Sequence, residues 1–157
     1  MKRILTFLKG YISESVIDTK LSDKNYLKDA FNNEDCFNTV PNVSGIYIMV
    51  ARKTKFQYPK GPNKGLSPVF YIGTSNDLRR RLKTHLSHYK NAKKDFWKHS
   101  SWHYSRYNYA VAFDADIYYM RITGCEKEKA LESKAIEGFF DTYGALPIGN
   151  GAISFRP

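Results

Sequence analysis

Two short apolar runs bracket a loop and an amphipathic stretch follows at once, and this order constrains the chain more than any bulk property. Gly45-Ile46-Tyr47 opens the first run, which continues to about Val50, and Tyr71-Ile72-Gly73 closes the second, which begins at Val69. β-Branched and aromatic residues dominate both, which is strand composition. Between them, residues 51–68 hold three Pro, two Gly and five Lys/Arg and read as a long basic loop. Strands joined by a loop, not by a crossover helix, pair antiparallel. A third strand is expected over residues 115–122, and helices over roughly 77–90 and 126–143, with Ser75 or Asn76 capping the first. Together these elements predict an α/β fold, a small three-stranded, mainly antiparallel sheet flanked by helices. Residues 1–43 read as an N-terminal helical extension packed on a core of 44–157. Within it, residues 1–12 have helical spacing, 23–32 look like a short helix capped by Asp23, and 33–43 form a polar connector. Residues 91–110 are basic and aromatic and show no clear period.

Charge is placed unevenly. The formal net charge is +10, yet residues 44–111 hold 14 Lys/Arg against only Asp77 and Asp95. Residues 1–43 balance 6 against 6, and residues 112–157 hold 5 basic against 7 acidic side chains. A basic excess confined to one segment points to a polyanion partner, nucleic acid before an anionic membrane. At 42% hydrophobic and 15% aromatic residues the chain is too apolar to be disordered. No run approaches the ~20 apolar residues of a membrane span. The apolar start is cut at Lys9, too soon for a secretory h-region. Cys36 and Cys125 lack metal-ligand spacing and read as small buried side chains in a reduced, cytoplasmic protein.

Three polar residues fall where helical periodicity wants apolar ones. On the 77–90 helix, Leu78, Leu82, Leu86 and Tyr89 form the stripe, and Arg81 and His85 lie on its edge, four apart and facing the sheet. Either they bind an anion, or they are a structural Arg–carboxylate pair beside a core histidine; this helix alone leaves the two readings level. Arg79, Arg80 and Lys83 fall on the outer faces. On the second long helix Glu132 sits inside the face made by Leu131, Ala135, Ile136, Phe139 and Phe140. A buried carboxylate needs a partner. Arg81 or Lys134 would supply a structural one; a divalent ion would supply a functional one.

These positions, taken in order, resemble the GIY-YIG nuclease family. The two tripeptides carry the resemblance, with Arg81 and His85 at the family's helix positions and Glu132, in Ala130-Leu131-Glu132, at its metal-binding carboxylate. Asn150, after Pro147, matches the family's terminal Pro-x-x-Asn. The match spans residues 44–151, about two-thirds of the chain. The resemblance implies a metal-dependent endonuclease hydrolysing DNA phosphodiesters with one Mg2+ or Mn2+ per active site, held by Glu132. It further implies that Tyr47 orients or deprotonates the attacking water, with His85 taking the proton onward and Tyr71 lining the pocket. Arg81 would stabilise the phosphoryl group, and Asn150 would hold site geometry. A tyrosine near pKa ~10 is a poor base and needs help from the ion or a neighbour.

The segment 48–70 is longer than the family's usual hairpin, and no zinc module or helix-turn-helix is recognisable. In both respects the chain is similar to the compact restriction endonucleases of the family, which implies sequence-selective cleavage, with a homodimer or sequential nicking for double-strand cuts. Arg52, Lys53, Lys55, Lys60 and Lys64 of the loop, Arg80 and Lys83 of the helix, and Lys98 and Arg106 would contact DNA, mostly at phosphates. Residues 91–110, with Trp97, Lys98, His99, Trp102, His103 and Arg106, are a second candidate surface, where aromatics are more often core than stacking platforms. A structure-specific repair or recombination nuclease is the first alternative, and a non-catalytic nucleic-acid-binding module the second.

Overall fold

The computed structural model describes residues 5–13, 25–95 and 105–150. Their architecture is mixed α/β, with a four-stranded antiparallel sheet between helices. The strands are β1 (Tyr26–Leu27), β2 (Gly45–Ala51), β5 (Val69–Ser75) and β6 (Ala115–Arg121), in the order β1-β6-β2-β5. Every pairing is antiparallel, with Tyr47 opposite Gly73 on one side and Tyr119 on the other. Three α-helices accompany them: α1 (Leu78–Lys94), α2 (Ser105–Phe113) and α3 (Glu128–Tyr143).

Strand β2 is buried along its whole length. Side chains alternate across a strand, so a continuous apolar run means that both faces are covered. Ile46, Ile48 and Val50 pack under α3 with Leu131, Ala135, Ile136 and Phe139. Tyr47, Met49 and Ala51 face the other way, into a core with Leu78, Leu82 and Tyr89 of α1 and Ala110 of α2. The sheet is therefore a middle layer, and β5 is its edge next to β2.

Several expectations need revision. The sheet has a fourth strand, because Tyr26 and Leu27 pair with Tyr118 and Ile117 where a helix was expected over 23–32. The Tyr26 ring stacks on Tyr118 at 4.7 Å and its hydroxyl donates to Asp116 Oδ2 at 2.7 Å, so tertiary contacts override the local spacing. Short 3-10 turns at Ala30–Asn32 and Glu34–Thr39 follow. At the N-terminal end, Thr6–Leu8 is likewise a 3-10 turn, with Phe7 packed edge-on against Phe139 of α3. The proposed cap Asp23 lies outside the described residues. The cap of α1 is neither Ser75 nor Asn76 but Asp77, whose carboxylate accepts from the Arg80 N–H. Ser75 instead hydrogen-bonds the backbone of Asp77 through its hydroxyl.

The basic loop contains a small hairpin, β3 (Phe56–Gln57) with β4 (Leu66–Ser67), closed by a turn at Asn63–Gly65. Phe56 packs against Phe70, Tyr109 and Phe113, and the Tyr58 hydroxyl donates to Val69 O at 2.9 Å. These contacts pin the loop to the core. Cys36 is half-buried and Cys125 exposed, so neither fills the buried role expected of it. No helix among the described residues is long and apolar enough to cross a membrane.

Candidate active site

Elements from both sides of the sheet meet at the edge strand β5. Tyr47 points from β2 toward α1, and its ring lies across Gly73 on β5. A Cβ at Gly73 would come within 2.5 Å of the Tyr47 ring and hydroxyl, so only glycine lets the ring occupy this place. Gly45 is equally constrained, since a Cβ there would approach Leu78 Cδ1 to 2.4 Å. The two glycines thus have a packing cause: one admits the tyrosine and the other admits the first turn of α1.

Helix α1 places Arg81 and His85 against that tyrosine, as their spacing predicts. The Tyr47 hydroxyl and His85 Nε2 are 2.6 Å apart, and Arg81 Nε–H donates to the same hydroxyl at 3.3 Å. The other ring nitrogen, His85 Nδ1, is 2.8 Å from the Tyr107 hydroxyl on α2. Tyr71 closes the pocket, its ring centroid 6.0 Å from Tyr47 and 5.8 Å from His85. Arg106 of α2 lies over the Tyr71 ring at 4.2 Å and donates from Nη1 to its hydroxyl at 2.6 Å.

Burial sets the protonation states. His85 is fully buried, and burial holds its pKa well below the usual histidine range, assisted by the positive charges of Arg81 and Arg106. The imidazole is neutral, with one nitrogen donating and one accepting. Burial likewise raises the Tyr47 hydroxyl well above 10, Tyr71 adding to the shift and Arg81 opposing it. Glu132 acts on Tyr47 electrostatically in the same direction, which ties the α3 carboxylate to the pocket on the opposite face.

Glu132 is held at the sheet edge by Thr74. The Thr74 N–H and hydroxyl both donate to Oε2, at 2.9 and 2.8 Å. Neither structural partner expected for Glu132 is used: Lys134 pairs with Glu126, and Arg81 forms no ion pair among the described residues. A half-buried carboxylate and a half-buried guanidinium thus flank one tyrosine without neutralising each other. Among the described residues no group of three or more His, Cys, Asp or Glu side chains could hold a metal ion. A single oriented carboxylate is a hard oxygen donor, and it suits an ion such as Mg2+ that keeps most of its shell as water and phosphate oxygen.

Asn150 performs structural work here. Its Oδ1 accepts from Ile72 N–H at 2.9 Å and its Nδ2 donates to Ile72 O at 2.8 Å, completing the ladder on the open edge of β5. A turn from Pro147, whose carbonyl accepts from Asn150 N–H, delivers the side chain. Asn150→Ala strands two buried backbone groups, and we expect a loss of about 2–4 kcal/mol in denaturant unfolding. A loss below about 0.5 kcal/mol, typical of surface changes, would show that the bridge is dispensable.

The surface cations divide. Arg52 is committed to Asp29 and Asp116, each at 3.1 Å, and Lys53 to Asp114 at 2.5 Å, so these two expected DNA contacts are occupied within the protein. Lys55, Lys60 and Lys64 are exposed. Arg80 donates to Asn76 and Lys83 to Asn38, and both line a groove of about 560 Å³ with Arg79, Thr84 and His88. Lys98, with Trp97, His99, Trp102 and His103, lies outside the described residues. Arg106 is half-buried and lies against Tyr71. Tyr107 and Thr74 were missed by sequence reasoning. Thr74 follows directly on Gly73 and could have been singled out; Tyr107 lies in an aromatic stretch whose helical phase is unreadable.

No protein-family model, curated protein or solved structure matches the chain at a significant level.

Proposed function

We propose that this protein is a GIY-YIG-type, metal-dependent DNA endonuclease, of the sequence-selective restriction kind and acting in the cytoplasm. The observation that carries the reading is the pairing failure at the pocket. Arg81 and Glu132 bring opposite charges to one tyrosine, yet among the described residues Glu132 bonds to Thr74 and Arg81 to Tyr47, not to each other. Half-buried charges left in this way favour a ligand that carries both signs, and a phosphate with its cation does so.

Glu132 would hold the ion, Mg2+ or Mn2+. When bound, the ion supplies the positive charge that polarises the phosphate and stabilises the leaving oxygen. The chain's own residues do the rest. Arg81 donates to the phosphoryl oxygens as charge builds on them. In the resting site its Nε covers the Tyr47 hydroxyl, so drawing the guanidinium onto a phosphate uncovers Tyr47 Oη to the attacking water. Tyr47 accepts the water's proton as it passes its own to His85 Nε2, 2.6 Å away. Arg106 fixes the Tyr71 ring and brings a second positive charge to the pocket.

DNA phosphates would lie along the exposed lysines of the hairpin and the groove beside α1. Replacing Lys55, Lys60 and Lys64 together with Gln should weaken DNA binding and reduce the slope of log K against log salt by up to about 2–3, at ~0.9 per phosphate contact. An unchanged slope would exclude the hairpin from the interface. Lys53, already paired with Asp114, is not part of this set. The function itself is tested with linear duplex, branched DNA and RNA, each incubated with Mg2+ and with EDTA. Discrete metal-dependent products from linear duplex support the reading. Cleavage only at branches would favour a structure-specific nuclease, and binding without any cleavage a non-catalytic module.

A further inference from the structure

We propose that Tyr107 is the outlet of a proton relay, Tyr47–His85–Tyr107, that carries the proton of the attacking water from the pocket to the groove beside α1. The proposal rests on the nuclease reading and deepens it. Two consecutive hydrogen bonds carry it: Tyr47 Oη to His85 Nε2 at 2.6 Å, and His85 Nδ1 to Tyr107 Oη at 2.8 Å.

The direction follows from donor and acceptor counting. Arg81 Nε–H can only donate, and it donates to Tyr47 Oη. Tyr47 is fully buried, so its own hydroxyl proton must find an acceptor, and His85 Nε2 is the one at hand. A neutral imidazole accepting at Nε2 carries its proton on Nδ1, and that proton then points at Tyr107 Oη. Each member is therefore a donor to the next.

The electrostatics explain why a third member is needed. His85 cannot store a proton, because it is buried and faces Arg81 and Arg106, with His88 nearby. It can pass one. In the concerted step a water O–H bond breaks and its proton bonds to Tyr47 Oη. The Tyr47 proton moves to His85 Nε2, the Nδ1 proton moves to Tyr107 Oη, and the Tyr107 proton passes to a water on the groove side of its ring. The hydroxide so formed attacks phosphorus, and the P–O bond to the leaving oxygen breaks with its electron pair. His85 changes tautomer and never becomes a cation. Tyr107 is itself buried, but its ring stacks on His88 at 5.1 Å and His88 lines the open groove, so one side chain separates the relay's last member from solvent. Tyr107 touches no reacting atom; it acts through His85 and is a positioning residue.

Two measurements on the full chain test this. In the first, Tyr107→Phe is compared with wild type in single-turnover cleavage of duplex DNA with Mg2+, in mixtures of H2O and D2O. We expect the rate to fall at least about tenfold, part of the ~100-fold or more that general acid–base catalysis supplies. DNA affinity should stay within about twofold, and the curved proton inventory of wild type should become linear. A variant that cuts at the wild-type rate, or is slower with the curved inventory intact, overturns the relay. In the second, nitrogen-15 NMR of wild-type His85 should show the proton on Nδ1, which needs no active variant. A proton on Nε2 in an enzyme that cleaves DNA would sink the relay alone. A wild-type protein that cuts no nucleic acid, with the proton on Nδ1, would sink the nuclease reading and the relay's task with it.

Discussion

Glu132→Gln is expected to reduce single-turnover cleavage by about 1,000-fold or more while DNA affinity stays level or rises, since the ion's contribution amounts to several kcal/mol of transition-state stabilisation. Three features of the site set this expectation. Both Thr74 bonds fall on Oε2, and a glutamine carbonyl can accept them, so the side chain keeps its place. The substitution removes the negative charge that holds the cation. It also removes repulsion between a carboxylate and the DNA phosphates, which is why affinity does not fall. The melting temperature should change little, because the lost group is half-buried and no ion pair among the described residues is broken. A Glu132→Gln protein that cuts at the wild-type rate would rule out the metal role of Glu132.

Arg81→Ala is the second large effect, about 100- to 1,000-fold in the cleavage step, the scale of losing one preorganised oxyanion donor. Binding should weaken much less, because other cations track the backbone and Arg81 strengthens its contact only as charge builds on the phosphoryl oxygens. Arg81→Lys should restore only part of the rate: an ammonium keeps the charge but loses the planar fork that meets two oxygens at once. Arg81→Ala also frees His85 of one of the charges that keep it neutral, so its basicity should rise, visible as a histidine titration moved upward in NMR. A loss of affinity with the cleavage step unchanged would assign Arg81 to ground-state binding instead.

The legible part of this site was the part governed by helical and strand periodicity. Arg81 and His85 share an edge of the α1 stripe because four residues make about one turn, and Tyr47 lies opposite because β2 alternates. Glu132 stood out because a carboxylate interrupts an apolar face. What escaped was set by tertiary placement. Tyr26 and Leu27 lie in a stretch of helical spacing, and only the stacking on Tyr118 and the bond to Asp116 make them a strand. Arg52 and Lys53 read as free cations because Asp29, Asp114 and Asp116, which neutralise them, are distant in sequence. Arg106 and Tyr107 sit where tyrosines and histidines crowd every face, so the segment has no readable inward side. Charge pattern and period predict where a side chain points, but not what waits for it there.

The most direct test of the central claim is incubation of purified protein with supercoiled plasmid in Mg2+ and in EDTA, with Glu132→Gln alongside. The account predicts nicked or linear products that need Mg2+ and are absent with the variant. Products that persist in EDTA, or that the variant forms at the wild-type rate, would contradict it, as would plasmid left intact under every condition.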